Sequence, residues 1–157
     1  MANWCFNTVH FEANESVIEE LSTLFLRLAE TEILENKGQL PAGYVGKNGY
    51  LFEIEMDENE LRYLTKWSPN IEVLIFVAKQ HSAGFIYHYE ELGMAIYGVT
   101  FYKNEVVQDI YLDEEDFKCY QYNQADEIYA FEGQVFRDDR EILDVLLQRK
   151  VKRLYKP

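Results

Sequence analysis

Proline and cysteine are scarce in this chain, and no hydrophobic run is long. Among its 157 residues are three prolines and two cysteines. Cys5 and Cys119 stand alone, without metal-ligand spacing, which fits a reducing cytoplasm and a protein without disulfides. No apolar stretch is long enough to cross a bilayer, so no membrane partner is expected. The opening Met1-Ala2-Asn3-Trp4-Cys5 has no basic region leading into an apolar one, so no secretory leader is expected either. A glycine-rich phosphate loop and a nucleophile elbow are missing. The most informative shortage is of cations: 15 stand against 28 acids, for a net charge of −13.

That balance excludes much. A nucleic-acid binder needs cations to displace counterions from phosphates, so direct binding to DNA or RNA is not expected. Five of the cations (Arg149, Lys150, Lys152, Arg153 and Lys156) crowd into residues 149–157, where no acid occurs. There they suit the negative end of a terminal helix. The acidic remainder serves solubility, or in a sharper reading a basic partner or mimicry of nucleic-acid charge.

What is abundant argues for a folded chain. Hydrophobic residues make up 48%, with twelve tyrosines, ten phenylalanines and two tryptophans. Disorder is excluded by that composition, and the length suits one domain with one real core.

Residues 3–11 alternate, which predicts a strand with Cys5, Val9 and Phe11 on one face and Trp4, Phe6, Thr8 and His10 on the other. Ser16-Val17-Ile18-Glu19 has capping-box spacing and opens a helix along Val17, Leu21, Leu24, Phe25 and Leu28. Gly38, Pro41, Gly43, Gly46 and Gly49 punctuate a loop over 35–49, long enough to hint at binding or shielding. Residues 51–56 alternate strictly and, with a turn at 57–60 and a return over 61–67, predict a hairpin. Ser68 then reads as a helix cap and Pro69 as the first helical residue, with Trp67 plugging the core beneath. A helix follows over 71–82, then strands over 85–90, 95–102 and 106–112. Residues 113–116 read as a solvated acidic loop, and 117–122 and 128–136 as strands. Asp138-Asp139 starts a last helix with Ile142, Leu143, Leu146 and Leu147 on its apolar side.

The fold expected is α+β. Its first 90 residues run strand–helix–strand–strand–helix–strand, the ferredoxin-like split βαβ order (βαββαβ), an antiparallel sheet with two helices on one face. Further strands and a C-terminal helix extend it. The division expected is 1–112 for the ferredoxin-like domain and 113–157 for an extension packed on it. This topology brings Asn3, Trp4, Lys66, Trp67, Ser68, Tyr89, Glu91 and Gly93 to one end of the sheet, where loop 35–49 also arrives. These are the candidate ligand- or partner-binding residues.

Three separated motifs, Asn3-Trp4-Cys5-x-Asn7, Thr65-Lys66-Trp67-Ser68-Pro69, and Tyr89-x-Glu91-x-Gly93 with Gly98 beyond, resemble the YubB ferredoxin-like domain family. The likeness covers roughly residues 1–112. It implies a bacterial protein, often carried on plasmids and phages, with no established activity and no catalytic residues to carry over. Asn70 stands where the family usually places a second proline, and the family's tryptophan-rich tract is not found in 35–49.

Residue chemistry adds little. His10, His81 and His88 lack ligand spacing, so no metal and no cofactor is expected. Cys5 lacks an electropositive surrounding. Glu90 and Glu91 face opposite ways on a strand and make no acid/base pair. Trp4 and Phe6 could form a stacking platform for RNA, but Leu61-Arg62-Tyr63-Leu64 lacks the matching glycine-aromatic signature. Extra strands or a partner are expected to cover these rings. The leading expectation is a small cytoplasmic binding protein of mobile-element type, without catalysis, taking an unidentified protein or small ligand. An acidic DNA-mimic decoy comes second and an uncharacterised enzyme third. An edge strand offers a route to a homo-oligomer.

Overall fold

A computed structural model describes residues 3–157, and Met1 and Ala2, at the start of the first expected domain, lie outside the described residues. The order is β1 (Trp4–Glu12), α1 (Glu15–Glu35), β2 (Phe52–Asp57), β3 (Glu60–Lys66), α2 (Ile71–His81), β4 (Gly84–Glu91), β5 (Ile96–Lys103) and β6 (Val106–Tyr111). The strands form one antiparallel sheet in the order β2-β3-β1-β4-β5-β6. Its first four strands are the ferredoxin-like unit, and β5 and β6 widen it beyond β4. After them come α3 (Glu114–Phe117), a small sheet of β7 (Gln121–Asn123), β8 (Ile128–Phe131) and β9 (Gln134–Phe136), and α4 (Arg140–Leu154).

Alternation along the strands feeds two cores, one on each side of the sheet. On one side α1 and α2 cover Cys5, Val9, Phe11, Leu61, Phe85 and Tyr87. On the other, α4 and β8 cover the outward residues of β5 and β6: Tyr97, Val99 and Ile110 meet Phe131, Ile142, Leu143 and Leu146. Tyr97 OH donates to Asp144 Oδ1 at 2.5 Å, and Arg140 Nη2 donates to Glu90 Oε1 at 2.7 Å, pinning α4 to this face.

Several local readings need correction. The cap of α1 is Asn14, whose side chain accepts from Val17 N, while Ser16 Oγ donates to that same carbonyl. Strict alternation fails in β2, where the register shifts between Phe52 and Glu55. Glu53 takes φ 50° at that bulge, so Phe52 sits on the face opposite Ile54 and Met56. The Glu32 carboxylate on α1 accepts the freed N–H groups of Glu53 (2.7 Å) and Ile54 (3.1 Å), which supplies what the ladder loses. Residues 113–116 are no free loop: Asp113 and Asp116 form a capping box, and Lys150 donates to both. The strand expected over 117–122 begins only at Gln121, after that helical turn, and the turn at Glu132-Gly133 divides 128–136 into β8 and β9. Finally, the added elements cover β5, β6 and part of β4 and stop short of β1. Phe6 is 56% exposed and Trp4 37%, so their rings stay open.

Gly98 shows how tightly the widened sheet fits. It faces Tyr89 across β4 and β5, and a Cβ here would press into the tyrosine ring. Tyr89 OH donates to Asp109 Oδ1 at 2.7 Å, an oxygen shared with Thr100 Oγ1 at 2.8 Å. We predict that Gly98→Ala displaces this ring and costs about 1–3 kcal/mol. A thermal melt reads it directly, and an unchanged Tm would show that the ring yields freely.

Candidate functional site

The strand β3 ends in an unusual turn. Trp67 N donates to Asn3 O at 2.9 Å, fastening it to the start of β1, and Ser68 N donates back to Lys66 O at 3.0 Å. The second bond closes a three-residue γ-turn around Trp67, whose φ is 73°. That is the strained form of the turn, and a bulky residue at positive φ stores about 1–3 kcal/mol. The indole is not a core plug, being 51% exposed.

The helix start also differs from the sequence reading. Ser68 and Pro69 precede α2, and the N-cap position belongs to Asn70, whose side chain makes no capping hydrogen bond. Its side chain is engaged elsewhere. Tyr63 OH donates to Asn70 Oδ1 at 2.5 Å, and Asn70 Nδ2 donates to Gly49 O at 2.8 Å. Asn70 N donates to Tyr87 OH at 3.2 Å, and Tyr87 OH donates onward to Asn7 Oδ1 at 2.6 Å. Asn7 Nδ2 reaches Thr65 Oγ1 at 3.0 Å, and Thr65 Oγ1 donates to Ser68 O at 2.8 Å. The chain of bonds runs through Asn7, Tyr63, Thr65, Asn70 and Tyr87, all buried.

Loop 35–49 lies across from this junction. Its Tyr44 ring meets Phe76 of α2 edge-on at 5.4 Å, and Gly49 (φ 86°) passes so close to Asn70 and Val73 that a side chain there would be crowded. Between loop and turn runs an open groove of about 760 Å³. Tyr44, Lys47 and Tyr50 line one wall, and Lys66, Trp67 and Ser68 the other. Phe52 closes the end nearest the open sheet face. There Lys66 Nζ sits 4.9 Å from the Phe52 ring centre and 5.7 Å from that of Trp4, a cation–π clamp.

A family pattern, the ferredoxin-like domain in Api92-like protein, matches residues 47–132, more than half of the chain. The chain belongs to that family. The match takes in Lys47, Tyr50 and the whole β3–α2 junction, and crosses residue 113 into β8. No curated protein and no solved structure matches.

Of the eight candidate residues, the groove unites Lys66, Trp67 and Ser68. Asn3 contributes its backbone oxygen to the turn. Trp4 stands on the open face, edge-on to Phe52 at 5.1 Å. Tyr89 is buried under β5, and Glu91 is buried with Oε1 accepting from Gly93 N at 3.1 Å. These three hold the sheet end together away from the groove. Tyr44, Lys47 and Tyr50 were missed as individuals; glycine spacing had marked the loop over 35–49 that holds the first two, and Tyr50 lies just beyond it.

Burial pushes the Cys5 thiol up to about 11. His88 faces Thr8 and His10 faces Ile86, so the imidazoles are not opposite each other. Among the described residues no group of three metal-ligating side chains assembles.

Two outcomes follow for solution work. Asn70→Ala leaves the Tyr63 hydroxyl and Gly49 carbonyl without partners and is expected to cost about 1–3 kcal/mol, read by chemical denaturation. A cost below the error of that measurement would mean that water replaces the side chain freely. At pH 8 a thiol reagent should label the exposed Cys119 and spare Cys5. Modification of both thiols in the native protein would overturn the placement of Cys5.

Proposed function

We propose that this is a non-catalytic binding protein, of the YubB-like kind carried by bacterial mobile elements and working in the cytoplasm, and that the groove at the β3–α2 junction receives its ligand. The observation that supports this most is Trp67. A large aromatic is half-exposed on a strained turn, where glycine or asparagine would serve the backbone better. Strain of this sort gathers at functional sites. The volume of the groove, about 760 Å³, falls within the range of roughly 300–1,000 Å³ common for small-molecule sites. The lining mixes the rings of Tyr44, Tyr50, Phe52 and Trp67 with the polar groups of Lys47, Asn48, Lys66, Ser68 and Glu72.

The acidic decoy draws less support. Exposed carboxylates stand on both sides of the sheet, Glu15, Glu19 and Glu30 on α1 and Glu114, Glu115 and Glu141 on the other layer. Rows at phosphate-like spacing would need them gathered on one.

Trp67→Ala and Trp67→Gly test the proposal together. Trp67→Ala is expected to leave Tm within about 2 °C of the parent and Trp67→Gly to raise it by a few degrees, since neither removes a packed core residue and glycine relieves the strain. Both should abolish groove contacts in saturation-transfer NMR against a metabolite mixture. A loss of Tm comparable to a core truncation, with no groove ligand in the parent protein, would return Trp67 to a structural role.

A further inference from the structure

We infer that the groove takes a small anion bearing a flat ring, by class a nucleoside phosphate; this rests on the groove being the binding site. Its lining carries Lys47 and Lys66 against one acid, Glu72. On a chain of net charge −13, a concave site with more cations than acids is a local inversion of sign. Field lines concentrate in such a cleft and favour an anionic occupant. Asn70 adds to this by what it leaves undone. Its side chain turns inward to Tyr63 and Gly49 and caps nothing; Val73 N donates to Asn70 O at 3.0 Å, and the N–H groups of Ile71 and Glu72 are left without a side-chain partner at the edge of the groove.

The aromatic walls specify the rest of the ligand. Tyr50 is 44% exposed and Trp67 51%, and both line the groove with Tyr44. Exposed rings facing a cleft offer π surfaces on which a base stacks whatever its identity. An aliphatic anion would use the lysines and waste the rings, and an uncharged heterocycle would do the reverse. A single nucleotide uses both. A polynucleotide is disfavoured, because beyond the groove it would cross a surface dominated by carboxylates.

The test is a titration of the full chain with ADP, GDP, CDP and UDP, followed by calorimetry and backbone NMR. The four nucleosides and pyrophosphate serve as half-ligands. At least one diphosphate should shift the resonances of Lys47, Tyr50, Lys66 and Ser68 and bind about tenfold or more tightly than either of its halves. Its affinity should fall as salt rises. The pair Lys47→Gln and Lys66→Gln should lower nucleotide affinity about tenfold and leave nucleoside affinity within about twofold, whereas Trp67→Ala should lower both. Equal affinity for nucleotide and nucleoside, equal affinity for nucleotide and pyrophosphate, shifts mapping outside the groove, or no binding by any of these probes would each overturn the inference. If the metabolite mixture still contacts the groove in those cases, the groove remains the binding site and only the ligand class falls. Silence in both experiments removes both.

Discussion

The β3–α2 junction depends on the buried side chain of Asn70. Through one amide it ties the hydroxyl of β3's Tyr63 to the carbonyl of Gly49, and through its backbone N–H it engages β4's Tyr87. Three segments distant in sequence are fixed at one buried point. Burial drives both tyrosine hydroxyls above their ordinary pKa, so they stay protonated donors. The sign follows: their contribution is complete below the ordinary tyrosine pKa and erodes only as pH rises above it. A network this buried is costly if any member is lost and rigid when complete. Its cost is the helix cap, because an amide turned inward to Tyr63 and Gly49 makes no bond to the first turn of α2.

The rest of the molecule is organised by covering the two faces of one sheet unequally. The helices α1 and α2 bury one face, as the split βαβ order requires. The extension after β6 buries the back of β5 and β6 and reaches Ile86 of β4, through Ile142, Leu143 and Leu146. The backs of β1, β3 and β2 therefore remain in solvent, with Trp4, Phe6 and Phe52 among their side chains. The cation–π clamp of Lys66 lies where this open face meets the groove. The groove lies beside this open face at the end of the sheet, between loop 35–49 and the β3–α2 turn.

Most of the element order was legible because periodicity and topology constrain each other. The spacing of Leu21 and Phe25 specifies a helix, alternation in residues 3–11 specifies a strand, and antiparallel pairing of β1 with β3 then sets Trp4 opposite Lys66. What stayed illegible shares one cause. Caps, bulges and turns depend on which partner a polar group finds in space. Ser16 has the right spacing, yet Asn14 does the capping. Residues 51–56 alternate perfectly, yet Glu32, far away in sequence, accepts the N–H groups of a bulge that breaks the pattern. Ser68-Pro69 is a good local helix start, overridden by the hydrogen bond of Thr65 to Ser68 O and by Asn70's engagement with Tyr63. The groove was half legible for the same reason: its strand wall follows from topology, while its loop wall depends on Tyr44 meeting Phe76.

The loop itself separates what the fold needs from what it does not. Gln39 and Leu51 pair backbone to backbone, N–H to carbonyl in both directions, at 2.8 and 2.9 Å. The chain has therefore already returned to the same place when it reaches Leu51, and residues 40–50 are an excursion from a closed gate. A short turn could join Gln39 to Leu51, and ordering the longer path costs about 1–2 kcal/mol per residue in backbone entropy. Part of this is recovered through Tyr44 on Phe76 and Gly49 on Asn70. Lys47 and Tyr50 recover little, standing exposed over the groove. Trp67 is in the same position on the facing wall, strained and half in solvent. Folding stability selects against each of these residues taken singly. Both sides of one cleft hold side chains that the fold does not require, and a shared occupant accounts for them together.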